Sequence, residues 1–287
     1  MTVIEFLRDI GKHFSMTSLV QRDYIAKRLG ENGAGISYAE FSYTILQGLD
    51  FLHLYDTYGC TLQLGGSDQW GNCISGVELI RRARSAEAQV ITLPLIINKA
   101  TGKKFGKSEE GAVWLDPEKT SPYKFYQFWL NTDDTAAEDY LKIFTELGKP
   151  AIDQIIRSFE ADRAGRSSQK ALAWETTKLI HGEEKAASVR NATEALFGGN
   201  TFDQLSNSEV DILKEELTVV HADNNYTLPA IIEQAGLASS KSEALRLVDS
   251  GAILVNGKKA SKHEMGLLRK GDNLIRRGKN NFAIVTT

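Results

Sequence analysis

Residues 36–72 read ISYAEFSYTILQGLDFLHLYDTYGCTLQLGGSDQWGN, an amphipathic helix that feeds a strand ending in a glycine pair. On the helix, Tyr43, Gln47 and Asp50 stand at i, i+4 and i+7, which at roughly 100° per residue places them in one narrow arc. Ile45, Leu49 and Leu52 point away from that arc and supply apolar packing. The polar stripe is therefore either the solvent side of the helix or the wall of a pocket. Solvent stripes usually hold Lys and Glu, whereas a phenol, an amide and a carboxylate together suit a small zwitterionic ligand.

The strand at 60–64 is mostly apolar, as expected of a buried parallel strand, and it runs into Gly65, Gly66, Ser67, Asp68 and Gln69. In doubly wound sheets, ligands bind beyond the carboxyl ends of strands, and glycine there lets backbone approach a ligand. Asp68 is suited to accept from ribose hydroxyls, although the same five residues also describe a plain tight turn. A helix at 74–85 and a second strand at 89–97, QVITLPLII, complete a strand–helix–strand pattern. The fold class is α/β.

Directly after that strand comes NKATGKKFGKS, residues 98–108, with Lys99, Lys103, Lys104 and Lys107 among Gly102 and Gly106. Lysines on a glycine-rich loop at a strand's carboxyl end suit a polyphosphate, though such loops are more often merely solvated. It is not a Walker A loop, because Thr101 stands where Gly-x-x-x-x-Gly-Lys needs its first glycine.

With 287 residues, 42% hydrophobic and 25% charged, the chain has the composition of a soluble globular protein of about two domains. Two cysteines, Cys60 and Cys73, fit neither a disulfide framework nor a metal site, and the five histidines lack ligand spacing. No signal-peptide pattern or membrane-length apolar run is present, so the expected location is the cytoplasm. The net charge of -3 is unevenly spread: residues 226–287 hold ten Lys or Arg against five Asp or Glu, +5, which leaves -8 on the rest. A small basic module on an acidic body suits a phosphate backbone, and equally a solvated surface.

The remaining elements follow from pattern. Residues 2–13 and 17–28 read as two short helices, the second capped by Thr17 or Ser18. The aromatic cluster Tyr123, Phe125, Tyr126, Phe128 and Trp129 reads as a helix on a core, and 136–197 is helical throughout, including one long run from Gln169 to Leu196. The polar stretch 201–225 reads as a linker. The end reads as helix 227–234, helix 240–249, strand 252–255, an Asn256-Gly257 turn, and strands near 274–277 and 282–285.

These motifs carry a resemblance. KFGKS at 104–108, the Tyr43, Gln47, Asp50 helix and LQLGGSDQWGN at 62–72 occur in the order found in bacterial-type tyrosyl-tRNA synthetases, a class I family, and the similarity extends across essentially the whole chain. KFGKS is similar to the KMSKS signature, departing from it at Phe105 and Gly106. The last module resembles the S4 RNA-binding domain. The resemblance implies a partial Rossmann-like synthetase core with the KFGKS loop at 1–115, an α-helical anticodon-side domain at 116–200, a linker at 201–225 and a small α+β S4-like domain at 226–287.

It implies tyrosine–tRNA ligase activity. Tyrosine would be held by Tyr43, Gln47, Asp50 and Gln69, with Asp50 accepting from the phenol and so excluding phenylalanine. ATP, with Mg2+, would meet Gly66, Asp68, Lys104, Lys107 and Ser108, with Lys104 and Lys107 catalytic toward the pyrophosphate leaving group. No tightly bound cofactor and no resident metal are implied. The partner is tRNA(Tyr), met by Lys241, Arg246, Lys258, Lys259, Lys262, Arg276, Arg277 and Lys279. A homodimer is implied, with 2–38 near its interface. None of His13, His53, His181, His221 or His263 stands in a HIGH-like sequence, so the chain reads as the carboxyl-terminal part of a synthetase, without the HIGH-containing amino-terminal segment. Loss of the first sheet strands would leave an unpaired hydrophobic edge and poor solubility. The reading from another class is a non-catalytic RNA-binding or scaffold protein that uses the helical and S4-like parts.

Overall fold

The computed structural model describes residues 1–97, 102, 105, 113–198, 201–222, 226–260 and 268–287, whose contacts divide the chain into two units, Met1–Ile97 and Asn98–Thr287. In the first unit, the long helix Tyr38–Tyr58 begins at a reciprocal cap. Ser37 Oγ accepts from the Glu40 amide, and the Glu40 carboxylate accepts from the Ser37 amide at 3.0 Å. Gly59 ends the helix in the left-handed conformation, φ 65°, which costs glycine little.

Strand β1, Leu62–Gly66, follows, then a turn at Ser67–Gln69, the helix Trp70–Arg84, and strand β2, Gln89–Leu93. β1 and β2 pair in parallel, Leu62 opposite Gln89 through Gly66 opposite Leu93. The expected strand–helix–strand unit is present, with each element displaced by a few residues and the second helix starting at Trp70. The expectation of a buried strand is corrected. Leu64 is 68% and Leu93 67% exposed, because side chains alternate across a strand and the helix Trp70–Arg84 covers one face only.

The two long helices cross at a pair of glycines. A Cβ on Gly48 would lie 3.3 Å from the Gly76 backbone nitrogen, and one on Gly76 would lie 2.7 Å from Cδ1 of fully buried Phe51. Phe51, Leu52, Leu79, Ile80 and Ile10 fill the core around this crossing. Two ion-pair or hydrogen-bond clamps flank it. Arg84 is bidentate to Asp56 at 2.8 and 2.7 Å, and half-buried Arg22 donates to the Gly71 carbonyl and to Ser75 Oγ at 2.6 Å. The segment before Tyr38 is more broken than its sequence suggests. Residues 2–13 form the short turns Val3–Glu5, Phe6–Ile10 and Gly11–His13, and 17–28 divides into Met16–Val20, capped by Ser15, and Asp23–Leu29.

The second unit carries five packed helices, Pro122–Leu130, Asp134–Phe144, Lys149–Ala161, Ser167–His181 and Glu183–Phe197. The long run read from Gln169 to Leu196 is two helices, broken at Gly182, φ 87°. The 201–225 stretch is not a simple linker. It contains the helix Asn207–Glu216, capped by Ser206 with Glu209, and strand β3, Thr218–His221. β3 pairs in parallel with β7, Asn281–Thr286, at the edge of a sheet ordered β3-β7-β6-β4-β5, where β4 is Ile253–Val255, β5 Lys258–Lys259 and β6 Asp272–Arg277. Leu228–Gln234 and Lys241–Asp249 pack Ile231, Ile232, Ala244 and Val248 on this sheet, and Asn256-Gly257 makes the expected turn with both φ positive.

Replacing Gly76 by alanine recovers about 1 kcal/mol of helix propensity but overpacks the core by about 1–3 kcal/mol, and the overpacking dominates because buried Phe51 has nowhere to move. Gly76→Ala is expected to lower the urea midpoint; a midpoint at or above wild type would refute the close crossing. Glu40 gives a pH test. Its carboxyl is lowered from 4.5 to about 2, first by the Ser37 amide, then by the Arg28 guanidinium and the Ser37 hydroxyl. Since the folded pKa lies below the unfolded one, the Glu40 contribution is complete above about 4.5 and is lost as pH falls toward 2. Urea midpoints of Glu40→Gln should therefore fall less steeply than those of wild type over that window, and parallel curves would contradict the cap.

Candidate active site

The polar stripe lies on the helix Tyr38–Tyr58 as its spacing requires. Tyr43, 60% exposed, and Asp50 face solvent, while Gln47 is half-buried. Gln47 is held from the neighbouring helix, its Nε2 donating to Cys73 Sγ at 3.4 Å. One turn earlier on the same face, Thr44 Oγ1 donates to Asn72 Oδ1 at 2.8 Å, and Asn72 Nδ2 donates to Gln69 Oε1 at 3.2 Å. The glycine crossing brings these two helices close enough for side chains as short as Thr44 and Asn72 to meet. Gln47 and Gln69, 22 positions apart, are thereby tied to two consecutive residues of one helix, Cys73 and Asn72.

The strand end is fitted to the same side chains. A Cβ on Gly65 would sit 3.4 Å from Gln69 Cβ and 3.5 Å from Cys73 Sγ, so the backbone of β1 lies directly against both. A Cβ on Gly66 would sit 2.8 Å from Asp68 Oδ1 and 3.0 Å from Leu95 Cδ2. Glycine at 66 is thus what allows the Asp68 carboxylate to fold back over the end of the strand. The result is a surface with an amide donor, a carboxylate and bare backbone at the carboxyl end of a parallel strand, a recurrent place for a nucleotide or amino acid.

Lys104, Lys107, Ser108 and Lys262 lie outside the described residues. Phe105, between the two lysines, is described. Its ring packs on Phe144 at 5.1 Å, Tyr140 at 5.2 Å, Trp129 at 5.7 Å and Phe128 at 5.8 Å, which places this loop residue among the helices Pro122–Leu130 and Asp134–Phe144. Of the basic residues in the last module, Lys241, Arg246, Lys258, Lys259 and Lys279 are exposed. Arg276 donates to the Gly278 carbonyl at 2.6 Å, and Arg277 donates to the Leu237 carbonyl at 2.6 Å and pairs with Glu243 at 3.4 Å. Arg277 is therefore tied to the module itself, to the turn at Leu237 and to the helix Lys241–Asp249. Sequence reading passed over Thr44, Asn72, Cys73 and Arg22. The signal was faint, because each makes its contact across helices rather than along one.

Among the described residues no cluster of His, Cys, Asp and Glu is arranged to hold a metal ion, and no helix is long and apolar enough to cross a membrane. The two thiols differ. Burial pushes the Cys73 thiol up, against the bond from Gln47, whereas Cys60 is half-exposed. At about pH 8, iodoacetamide should modify Cys60 at least tenfold faster than Cys73, roughly the ratio expected of an accessible and an inaccessible thiol; equal rates by peptide mass mapping would contradict the packing of Gln47 on Cys73.

Comparison with known proteins agrees with this architecture. Residues 1–198 match the family model described as tRNA synthetases class I (W and Y), and residues 227–272 match that of the S4 domain. The tyrosine–tRNA ligase of Dechloromonas aromatica is 43% identical over 292 residues, covering 100% of this chain and 69% of that protein. The ligase of Geobacillus kaustophilus is 43% identical over 99% of this chain and 68% of its own length. A crystal structure of a C-terminally truncated mitochondrial tyrosyl-tRNA synthetase from Aspergillus nidulans superposes with a TM-score of 0.57 at 34% identity, covering 69% of this chain and 55% of that one. The chain thus spans about two thirds of these curated relatives and about half of the solved one. With one family model over residues 1–198, another over 227–272 and ligases 43% identical along its whole length, the chain is a member of the class I tRNA synthetase family, among the tyrosine–tRNA ligases.

Proposed function

We propose that the chain forms part of a tyrosine–tRNA ligase that joins tyrosine to ATP as tyrosyl-adenylate, releasing pyrophosphate, and then transfers the tyrosyl group to the 3′ end of tRNA(Tyr). The observation that carries this is the convergence of Gln47 and Gln69 on Asn72 and Cys73, at the end of a strand whose Gly66 leaves room for Asp68. Identity of 42–45% to ligases across the chain supports it.

In this reading Asp50 accepts from the substrate phenol, Tyr43 and Gln47 hold the α-amino group, and Gln69 lies beside the carboxylate. Asp68 accepts from the ribose and the Gly66 backbone lies against it. Attack by the tyrosine carboxylate oxygen on the α-phosphorus forms one P–O bond as the bond to pyrophosphate breaks. Charge then accumulates on the departing pyrophosphate, where Lys104 and Lys107, with Ser108 and a Mg2+ brought by ATP, would neutralise it. Catalysis needs no covalent enzyme intermediate, only position and electrostatics.

The S4 module would bind tRNA through exposed Lys241, Arg246, Lys258, Lys259 and Lys279, with Lys262 in the same segment. Arg276 and Arg277 also belong to this set, at its partly engaged margin. Exposed Val3, Ile4, Leu7 and Met16 within 2–38 support that stretch as the surface of a homodimer. A cytoplasmic location accords with this chemistry.

The reading is tested by tyrosine-dependent ATP–pyrophosphate exchange, with the chain alone and mixed with a separately expressed amino-terminal segment of a bacterial tyrosyl enzyme. Exchange is expected in at least one format, and Lys107→Ala should lower its kcat about a hundredfold while leaving tyrosine affinity nearly unchanged. An unaltered rate would remove Lys107 from the mechanism. No exchange in either format, together with salt-sensitive tRNA binding, would favour the RNA-binding reading instead.

A further inference from the structure

We propose that Thr44 and Asn72 are positioning residues that fix which end of the Gln69 amide faces the amino-acid ligand, and that this end is the Nε2 donor. The inference rests on the ligase reading above and deepens it, by naming what holds the group that meets the substrate carboxylate.

The direction is set from the buried end. Thr44 is 5% exposed, and its hydroxyl has one hydrogen-bond partner among the described residues, Asn72 Oδ1 at 2.8 Å. A buried hydroxyl proton without an acceptor is costly, so Thr44 holds the Asn72 carbonyl toward itself. The Asn72 NH2 then faces the other way and donates to Gln69 Oε1 at 3.2 Å. An amide with its oxygen engaged by a donor presents its own NH2 on the opposite side. Reversing either amide would set donor against donor or leave the Thr44 proton unpaired.

The stem of Gln69 is held as firmly as its tip. Gly65 has no side chain, and its backbone lies where a Cβ would come within 3.4 Å of Gln69 Cβ. Gln69 Nε2 has no hydrogen-bond partner among the described residues. A pre-aimed NH2 attracts a carboxylate, whereas a carbonyl in its place would repel one. Released from the relay, the Gln69 amide could present either end, and selectivity for the carboxylate would fall.

The test compares L-tyrosine with tyrosinol, which keeps the phenol and amine but lacks the carboxylate. Dissociation constants are measured by equilibrium dialysis on the chain in the format, alone or mixed, that binds tyrosine. Thr44→Val removes the hydroxyl at nearly constant volume, and Thr44→Ser restores it. Wild type and Thr44→Ser should prefer tyrosine to the same degree. Thr44→Val and Asn72→Ala should lose about tenfold of that preference, with tyrosinol affinity unchanged, an effect that partial unfolding does not imitate because it weakens both ligands alike. If Thr44→Val keeps the wild-type ratio, or Thr44→Ser falls as far as Thr44→Val, the relay is wrong and the ligase reading stands. If wild type shows no preference for tyrosine in either format, the assignment of Gln69 to the carboxylate fails first and takes the relay with it.

Discussion

The crossing of the helices Tyr38–Tyr58 and Trp70–Arg84 at Gly48 and Gly76 is the constraint on which the candidate site depends. Backbone meets backbone there, with 3.3 Å between a Cβ position on Gly48 and the Gly76 nitrogen. Side chains a turn from the crossing are then within reach of each other. Gln47 meets Cys73, and Thr44 meets Asn72. Had larger residues held the helices at the usual 8–10 Å or more, polar groups as short as these would face a gap. The same closeness seats Phe51 over Gly76, so apolar packing on one side of the interface fixes polar geometry on the other.

The strand order extends the constraint to the backbone. β1 lies beside the helix Trp70–Arg84 and delivers Gly65 and Gly66 to the turn from which that helix starts. Two glycines in succession serve different ends. The first lets the strand touch Gln69 and Cys73, and the second lets Asp68 fold back beside Leu95. The sheet's other face, with Leu62, Leu64, Ile91 and Leu93, is uncovered among the described residues. In the second unit the module 226–287 is tied to the helical part by Lys214 to Asp272 at 2.7 Å, by an Arg269–Asp203 pair and by Phe197 on Phe282. Strand β3 adds a backbone ladder to these links.

What could be read from the sequence, and what could not, follows from the range of each interaction. The Tyr43, Gln47, Asp50 arc, the strand–helix–strand order and the Asn256-Gly257 turn depend on spacing along the chain and were legible. The break at Gly182 is set by the backbone of one residue, between helix-forming stretches on both sides; the glycine and the acidic pair Glu183 and Glu184 after it, where a new helix starts, are its signal in the sequence. The structure within 201–225 was missed because polar residues outnumber apolar ones. Yet Ser206 with Glu209 is a readable cap, and Val210 with Leu213 are the i, i+3 pair that the helix buries. The exposure of Leu64 and Leu93 lay beyond sequence, since apolar alternation does not say which face a neighbour covers. Thr44 and Asn72 lay beyond it too: nothing in either residue's local context marks a partner 28 positions away.

The most direct measurement is an amide and side-chain NMR titration of the chain with a non-hydrolysable tyrosyl-adenylate mimic, in the presence of the amino-terminal segment of a bacterial relative. The account predicts perturbations centred on Tyr43, Gln47, Asp50, Gly66, Asp68 and Gln69, with the side-chain NH2 of Gln69 among the largest. Saturable binding whose perturbations fall elsewhere in residues 1–97 and spare the Gln69 amide would contradict it.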